Sequence, residues 1–225
     1  TDNADKIIDA DVFIFISKHR SKEEKTCLTL HPIGNFGKNE MGGKEKTLCI
    51  TPSLYLKDIF NELSDNAQGS DFEATMEATH HGPFLEKPAM FVEIGSTEKE
   101  WVDKDAGGII AKSVINAIRK CSISNNNDAL ANNKFLKDDN NKNNKNNNPD
   151  NKIKNNENDN IIDNGLEINE NKGYESVFVI GGNHYNHTAS KAMLKTDLAV
   201  GHICAKYNLE SLDENLLKEA MEKTV

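Results

Sequence analysis

The side chains of this 225-residue chain that are best suited to chemistry near neutral pH are its seven histidines. Four of the seven lie beside glycines, and all seven lie at or just beyond the ends of predicted strands. They are His19, His31, His80, His81, His184, His187 and His202. In open α/β sheets ligands bind in a crevice outside the carboxyl ends of the strands. We therefore predict one crevice lined with imidazoles that can bind a metal or transfer protons, while His187 is expected to be a surface residue.

One pair of histidines follows a strictly alternating segment. Phe72–Thr79 predicts a strand that places Glu77 on the same face as His81 and leaves His80 on the opposite face. A single metal would take both histidines only if the chain bent at Gly82. Alternatively, one imidazole binds a metal while its neighbour orients a substrate group.

Glu93 lies inside an apolar run, Ala89–Ile94, that predicts a buried strand. Burying an unpaired carboxylate is costly, so Glu93 should face a cation, a histidine or the crevice. A functional role and a structural ion pair both remain open for this residue.

A glycine-rich segment, His31–Gly37, offers the amide of Asn35, the ring of Phe36 and glycines that permit close backbone approach. This set suits the base and sugar of a nucleotide, but no P-loop pattern is present. The surrounding window 18–46 holds seven Lys or Arg against four Glu, a local charge of +3. It predicts either a phosphate-facing patch or a solvated loop, whereas the overall charge of −9 argues against non-specific coating of nucleic acid.

The elements around these residues alternate between strands and helices. The predicted strands are Val12–Ser17, covered on both faces, Thr26–His31, Phe72–Thr79, Ala89–Ile94, Ser176–Ile180 and Leu198–Cys204. The predicted helices are Pro52–Leu63 capped by Thr51, one after a capping box at Thr97–Glu100 that ends near Cys121, one near Ala189–Lys195 and one after Ser211. This order predicts a three-layer α/β/α domain with a mixed, mostly parallel sheet.

Between 125 and 172 the composition changes: 20 of these 48 residues are Asn. The segment has too little apolar surface to offset the entropy of ordering it, so we predict a disordered insert in a single domain of 1–225.

No run approaches the roughly 20 apolar residues of a membrane span, and the four cysteines form no CxxC pair. No Gly-x-Ser-x-Gly motif is present. These observations favour a cytoplasmic protein with reduced cysteines, and a zinc-dependent hydrolase is the candidate class.

Six motifs together resemble the archaeal-type D-aminoacyl-tRNA deacylase family, which also occurs in plants. They are SKHRS (17–21), HPIGNFG (31–37), MEATHHGP (76–83), FVEIGSTEKEW (91–101), GGNHY (181–185) and GHICAKY (201–207). The resemblance implies hydrolysis of the ester that joins a D-amino acid to the 3′ ribose of tRNA, with Zn²⁺ as cofactor. It also implies a phosphorylase/hydrolase-like fold akin to peptidyl-tRNA hydrolase. The family pattern has a further N-terminal strand–helix unit before the segment matching Asp9–Ser17, and the Asn-rich segment is an insertion relative to it.

The resemblance also implies roles for particular residues. It places His80, His81, His184 and Glu77 in catalysis, and His81, His184, His202 and Glu93 at the metal. The implied substrate-binding residues are His19, Arg20, Ser21, His31, Asn35, Phe36, Gly37, Thr79, Tyr185 and Lys206. The division between metal ligands and acid–base groups stays open.

Two mechanisms fit these residues. In one, zinc supplies the attacking hydroxide and an imidazole protonates the leaving ribose oxygen. In the other, the ribose 2′-hydroxyl assists and the protein only positions the ester. The expected partner is the 3′ end of D-aminoacyl-tRNA, with no membrane or DNA partner and a monomeric state. A metal-dependent peptidase or amidohydrolase and a non-catalytic RNA-binding module are the alternative functions.

Overall fold

The computed structural model describes residues 2–138 and 173–225, with side chains placed in 2–121 and 173–225. The strands are β1 Phe13–Lys18, β2 Cys27–Pro32, β3 Gly34–Asn35, β4 Thr47–Leu48, β5 Glu73–Met76, β6 Ala89–Gly95, β7 Glu175–Ile180 and β8 Leu198–Cys204. The helices are α1 Ala4–Ile7, α2 Ser53–Asn66, α3 Glu98–Trp101, α4 Lys104–Asp138, α5 His187–Lys195 and α6 Glu214–Glu222, with a 3₁₀ helix at Lys206–Ser211. The chain divides into one unit of Thr1–Cys121 with Gly173–Val225 and a second unit of Ser122–Lys172.

The main sheet is mixed, in the order β1-β6-β2-β5. β1 pairs with β6 in parallel and β2 pairs with β5 in parallel, but β2 and β6 are antiparallel. β7 and β8 form a parallel pair. Just beyond β5, the Thr79 N–H donates to the carbonyl of Ile203 in β8 over 3.0 Å, which places this pair beside the main sheet.

Both faces of the sheet are covered by helices. On one face, Val92 of β6 and Val200 of β8 share the largest apolar cluster with residues of α2, α4 and α5. On the other face, Phe13 and Phe91 form a second cluster, and Leu216 and Ala220 of α6 pack in a third cluster with Cys204. Since alternate strand residues point to opposite faces, the fold has three layers, and the predicted α/β/α architecture is confirmed.

Several predicted details differ from the structure. β1 lies at the edge of the main sheet and the Ile16 side chain is 60% exposed, so the prediction of cover on both faces was wrong. Thr51 does not cap α2, whose N-cap is Pro52, because the Thr51 hydroxyl hydrogen-bonds to His202 instead. The glycine-rich segment after His31 contributes a short strand, β3, that pairs with β4.

Helix α4 continues past its predicted end near Cys121 to Asp138. It therefore enters the first part of the Asn-rich segment that was predicted to be disordered. The remainder of that segment, 139–172, lies outside the described residues. In the parts of the chain that are described, no helix combines the length and the apolarity needed to cross a bilayer.

Gly34 allows β3 to approach β4, and this gives a testable prediction about stability. Its φ is +145°, and a Cβ there would lie 2.7 Å from the Leu48 Cα. We expect Gly34→Ala to lower the free energy of unfolding by about 2 kcal/mol, because backbone must move. Gly107→Ala in α4, where a Cβ meets nothing within 4 Å, should instead add about 0.5–1 kcal/mol. Urea unfolding measures both, and equal effects would contradict the close approach.

Candidate active site

The acidic and imidazole side chains of the candidate site project from one face of the main sheet. Glu93 of β6 pairs with Thr29 of β2, and His31 pairs with Phe91, so these side chains share a face. Glu77 follows β5 and donates its N–H to the Leu30 carbonyl over 2.9 Å. Its side chain therefore falls on the same face as His31 and Glu93.

This position differs from the predicted crevice outside the carboxyl ends of the strands. Because β1 and β6 run opposite to β2 and β5, the carboxyl ends of the two pairs lie at opposite ends of the sheet along the strand direction. In addition, His31 lies within β2 and His202 within β8, so not every histidine lies at a strand end as predicted. The histidines and acids still converge, but over a sheet face.

Glu77 is the centre of this convergence and is fully buried. Its Oε1 lies 3.2 Å from His19 Nδ1, and its Oε2 lies 3.8 Å from both His80 Nε2 and His184 Nε2. Neither oxygen has a hydrogen-bond partner among the described residues. A buried carboxylate without hydrogen bonds is costly unless a cation or proton compensates it.

Glu93 faces histidines, as its apolar sequence context predicted. Its Oε2 lies 3.5 Å from His19 Nδ1 and 3.7 Å from His31 Nε2. The other ring nitrogen of His19 lies 2.8 Å from the Tyr185 hydroxyl, which is itself 3.5 Å from Ser96 Oγ. His19 therefore bridges the two carboxylates and is held by Tyr185.

His80 and His81 lie together, whereas the alternating pattern predicted opposite faces. Their ring centroids are 4.4 Å apart, and the ring of His31 is 4.1 Å from that of His80. The strand pairing of β5 ends at Met76, and His81 has a φ of +42°. The chain therefore leaves the extended conformation before Gly82, and this brings both rings to one side.

Two positioning contacts come from residues that were not predicted as site residues. The Tyr207 hydroxyl lies 3.1 Å from His184 Nδ1, opposite the nitrogen that faces Glu77. The indole N–H of Trp101 donates to the backbone carbonyl of His19 over 2.9 Å. Tyr207 and Trp101 are the last residues of the motifs GHICAKY and FVEIGSTEKEW, and those motifs were the available signal for them.

Burial and mutual proximity shift the pKa values of these groups. Burial, together with the nearby charge of Glu93, raises the pKa of Glu77 well above its usual value. Burial and the neighbouring imidazoles lower the pKa of His184 to about 4 and lower the pKa values of His80 and His81. Although burial opposes it, the contacts with His19 and His31 lower the pKa of Glu93. His80, His81 and His184 are therefore neutral near pH 7, the form that accepts protons and binds metals.

Three overlapping sets of side chains place ligand atoms within 4.8 Å of one another in the described part of the chain. They are His31 with His80 and His81, His19 with Glu77 and His184, and His31 with Glu77 and Glu93. Two imidazoles with one carboxylate are a known donor set for zinc. The unpaired Glu77 oxygens and the unpaired Nε2 of His31 fit a cation in this cluster.

His202 lies apart from these sets, which does not support its prediction as a metal ligand. It is fully buried, its Nε2 lies 2.9 Å from both the Cys49 carbonyl and Thr51 Oγ1, and its Nδ1 lies 3.1 Å from Thr79 Oγ1. Both ring nitrogens are thus already hydrogen-bonded. Thr79 in turn accepts from the Ile203 N–H over 2.9 Å, so His202 joins β8 to the segment that carries the active-site histidines.

The predicted substrate residues divide into three groups, of which His19, His31 and Tyr185 belong to the cluster around Glu77 and Glu93. Asn35, Phe36, Gly37 and Thr79 line a cleft of about 180 Å³ together with His80, His81 and Tyr207. Within it, the Asn35 amide donates to the carbonyls of Gly42 and Lys44 and so fixes the loop after β3, while Phe36 is buried against Phe178. Arg20 and Lys206 are exposed and Ser21 is half-buried, all outside this cleft lining.

The fold and the site together define a class: a three-layer α/β protein with buried carboxylates and neutral imidazoles beside a cleft. The family model described as D-aminoacyl-tRNA deacylase matches residues 7–132 and 151–225. The chain belongs to the D-aminoacyl-tRNA deacylase family.

Similar proteins support this assignment. The D-aminoacyl-tRNA deacylase of Thermococcus kodakarensis is 32% identical over 221 residues, which cover 96% of this chain and 62% of that protein. The Methanosarcina mazei protein of the same name is 31% identical, with 96% and 56% coverage. A crystal structure described as a conserved protein of unknown function, AF0625, superposes with a TM-score of 0.72 at 29% identity over 99% of this chain and 64% of the other. The chain thus spans less than two thirds of the length of these relatives.

The buried His202 predicts a pH dependence of stability. Burial lowers its pKa to about 4, so between about pH 6.5 and pH 4 the unfolded chain binds a proton that the folded chain excludes. Stability should therefore be fully present above pH 6.5 and fall as the pH decreases, by roughly 2 kcal/mol from this residue between pH 7.5 and pH 5. In His202→Gln, the decrease in the free energy of unfolding between pH 7.5 and pH 5 should be smaller by about 2 kcal/mol, as measured by urea unfolding at both pH values. An unchanged loss would rule out His202 as its source.

Proposed function

We propose that this chain hydrolyses the ester of D-aminoacyl-tRNA to free tRNA and the D-amino acid. The observation that carries the proposal is the buried cluster of Glu77, Glu93 and five imidazoles beside the cleft. Every member of this cluster comes from a motif that resembles the family, and the relatives carry the name of this activity. The cluster supplies proton acceptors and donors for ester hydrolysis.

We further propose a zinc cofactor. Glu77 with His19 and His184 would hold the ion, with Glu93, His31 and His81 close by. The predicted ligands His81, His184 and Glu93 thus remain candidate zinc ligands, and His202 is not included in the proposed zinc site. When bound, zinc lowers the pKa of water and polarises an ester carbonyl. The support is the donor chemistry of the cluster and the unpaired atoms of Glu77 and His31.

The chain's own residues have distinct tasks in this proposal. His80 and His81 line the cleft and are neutral near pH 7, so either imidazole can accept a proton from the attacking water and then pass it to the departing ribose oxygen. The Nδ1–H of each ring donates to a backbone carbonyl, Ala78 for His80 and Gly82 for His81, and the Nε2 of His80 faces Glu77 at 3.8 Å. With both Nδ1 atoms protonated, both Nε2 atoms are free to accept protons.

Selectivity for the D-amino acid would arise from the shape of the cleft. Its wall is the rigid backbone of Gly34–Gly37, fixed by the Asn35 bonds to the following loop. A side chain of the L configuration would collide with this wall or turn the ester away from the imidazoles. We propose that the protein acts as a monomer in the cytoplasm, where its four free cysteines stay reduced.

The first test compares two charged tRNAs. Purified protein should release the amino acid from D-Tyr-tRNA at least about 100-fold faster than from L-Tyr-tRNA, because only the D ester aligns with the cluster. A chelator should abolish release and added Zn²⁺ should restore it. Amino-acid release is followed by thin-layer chromatography. Inertness toward both tRNAs in a folded protein supplied with Zn²⁺ would refute the activity, and chelator-resistant release would refute only the cofactor.

The second test removes the central carboxylate. Glu77→Gln should lower kcat/KM on D-Tyr-tRNA by at least about 100-fold, because the cluster loses its shared acid. It should also weaken Zn²⁺ binding in equilibrium dialysis. Glu73→Gln is the matched control, since Glu73 lies four residues earlier but its side chain is 57% exposed. Equal activity of the two variants would exclude Glu77 from the reaction.

A further inference from the structure

We propose that Lys18, Arg20 and Trp101 form a surface, here called the Trp101 platform, that binds the single-stranded 3′ end of the substrate RNA. This inference rests on the proposed function and names how the RNA reaches the same site. It assigns a role to Lys18 and Arg20, two residues of the basic window 18–46, whose role the sequence left open.

The platform combines one aromatic ring with two cations. The Arg20 guanidinium carbon lies 4.6 Å from the ring centroid of Trp101, and Lys18 Nζ lies 5.3 Å from it. The ring is half-buried, while Lys18 and Arg20 are exposed. Proteins that bind single-stranded nucleic acid combine these two features, because bases stack on aromatic or guanidinium planes and phosphates pair with the cations.

The platform is joined directly to the active site. Lys18 and Arg20 flank His19 in sequence, and the Trp101 indole donates to the His19 carbonyl over 2.9 Å. The imidazole of that same His19 lies 3.2 Å from Glu77. The scissile ester is on the last nucleotide, so the preceding nucleotides must leave the site across its rim. The platform meets the site at the His19 backbone, and Lys18, paired with Ile94, lies on the other face of the sheet from Glu93, so these nucleotides would turn around the end of β1 to reach it.

The existing ion pair of the platform does not prevent this role. Arg20 pairs with Glu98, but the two side chains are 68% and 70% exposed. Exposed pairs of this kind contribute little, so a phosphate can replace Glu98. A local cationic surface is also what a protein of net charge −9 needs to attract RNA to one place.

Other basic residues of the window 18–46 make different contacts. Lys44 Nζ lies 3.8 Å from the ring centroid of Phe84, and Lys46 forms an ion pair of 3.3 Å with Asp213. Lys38 lines the cleft with His80 and His81. The window is therefore not one patch, and the platform is the part of it that sets two of its cations, Lys18 and Arg20, over one aromatic ring.

Trp101 is the single tryptophan of the sequence, so its fluorescence reports on the platform directly. Uncharged tRNA with an intact 3′ end should quench this fluorescence, because a base stacks on the platform. The same tRNA without its last three nucleotides should quench at least about fivefold less at equal concentration, and polyglutamate should not quench. Absence of quenching by tRNA that a gel shift shows to be bound would overturn the proposal. Equal quenching by polyglutamate would also overturn it and indicate an acidic protein partner.

A double variant tests the cations. In Lys18→Gln/Arg20→Gln, the ratio of kcat/KM for D-Tyr-tRNA to kcat/KM for D-tyrosyl-adenosine should fall about tenfold, and the log–log salt slope of tRNA binding should fall by about 1.4. The control, Lys195→Gln/Lys218→Gln, removes the same charge from α5 and α6 and should change neither quantity. Equal effects of the two double variants would contradict the platform. Quenching without hydrolysis by the wild type would refute the proposed function alone, and hydrolysis without quenching would refute the platform alone.

Discussion

The burial of Glu77 without a hydrogen bond is the constraint on which the site depends. A carboxylate enclosed in this way must be neutralised by a proton or a cation, and the groups that reach it are the imidazoles of His19, His80 and His184. The cost of burying this carboxylate points to chemistry as the reason for its presence, and burial also lowers the pKa values of His80 and His184.

Glu77 and Glu93 share one environment, but their pKa values are shifted in opposite directions. Burial and the nearby charge of Glu93 raise the pKa of Glu77, whereas contacts with His19 and His31 lower the pKa of Glu93 although burial opposes this. Their pKa values are therefore driven in opposite directions, the arrangement that separates an acid from a base within one site. His19 touches both carboxylates, so contacts that hold His19, from Tyr185 and from Trp101, act on the whole cluster.

Sequence patterns predicted much of this fold because local signals are strong. The apolar run Ala89–Ile94, the capping box at Thr97–Glu100 and the motif histidines all have counterparts in the structure. The sequence grouped His202 with the metal ligands, because its glycine neighbour and its motif are the same whether a histidine binds a metal or three hydrogen-bonding partners. Only the packing of Thr51, Thr79 and Cys49 around the ring separates the two roles.

The sequence by itself determined which acidic and imidazole side chains are available for chemistry and that helices and strands alternate, since residue type and periodicity are local properties. Tertiary structure decided where those side chains meet. Because β2 pairs with β6 in antiparallel orientation, the cluster lies over a sheet face and not at the predicted strand ends. The turn at His81 places its ring beside that of His80. Strand direction and backbone turns depend on contacts between residues far apart in the chain, and no local pattern records them.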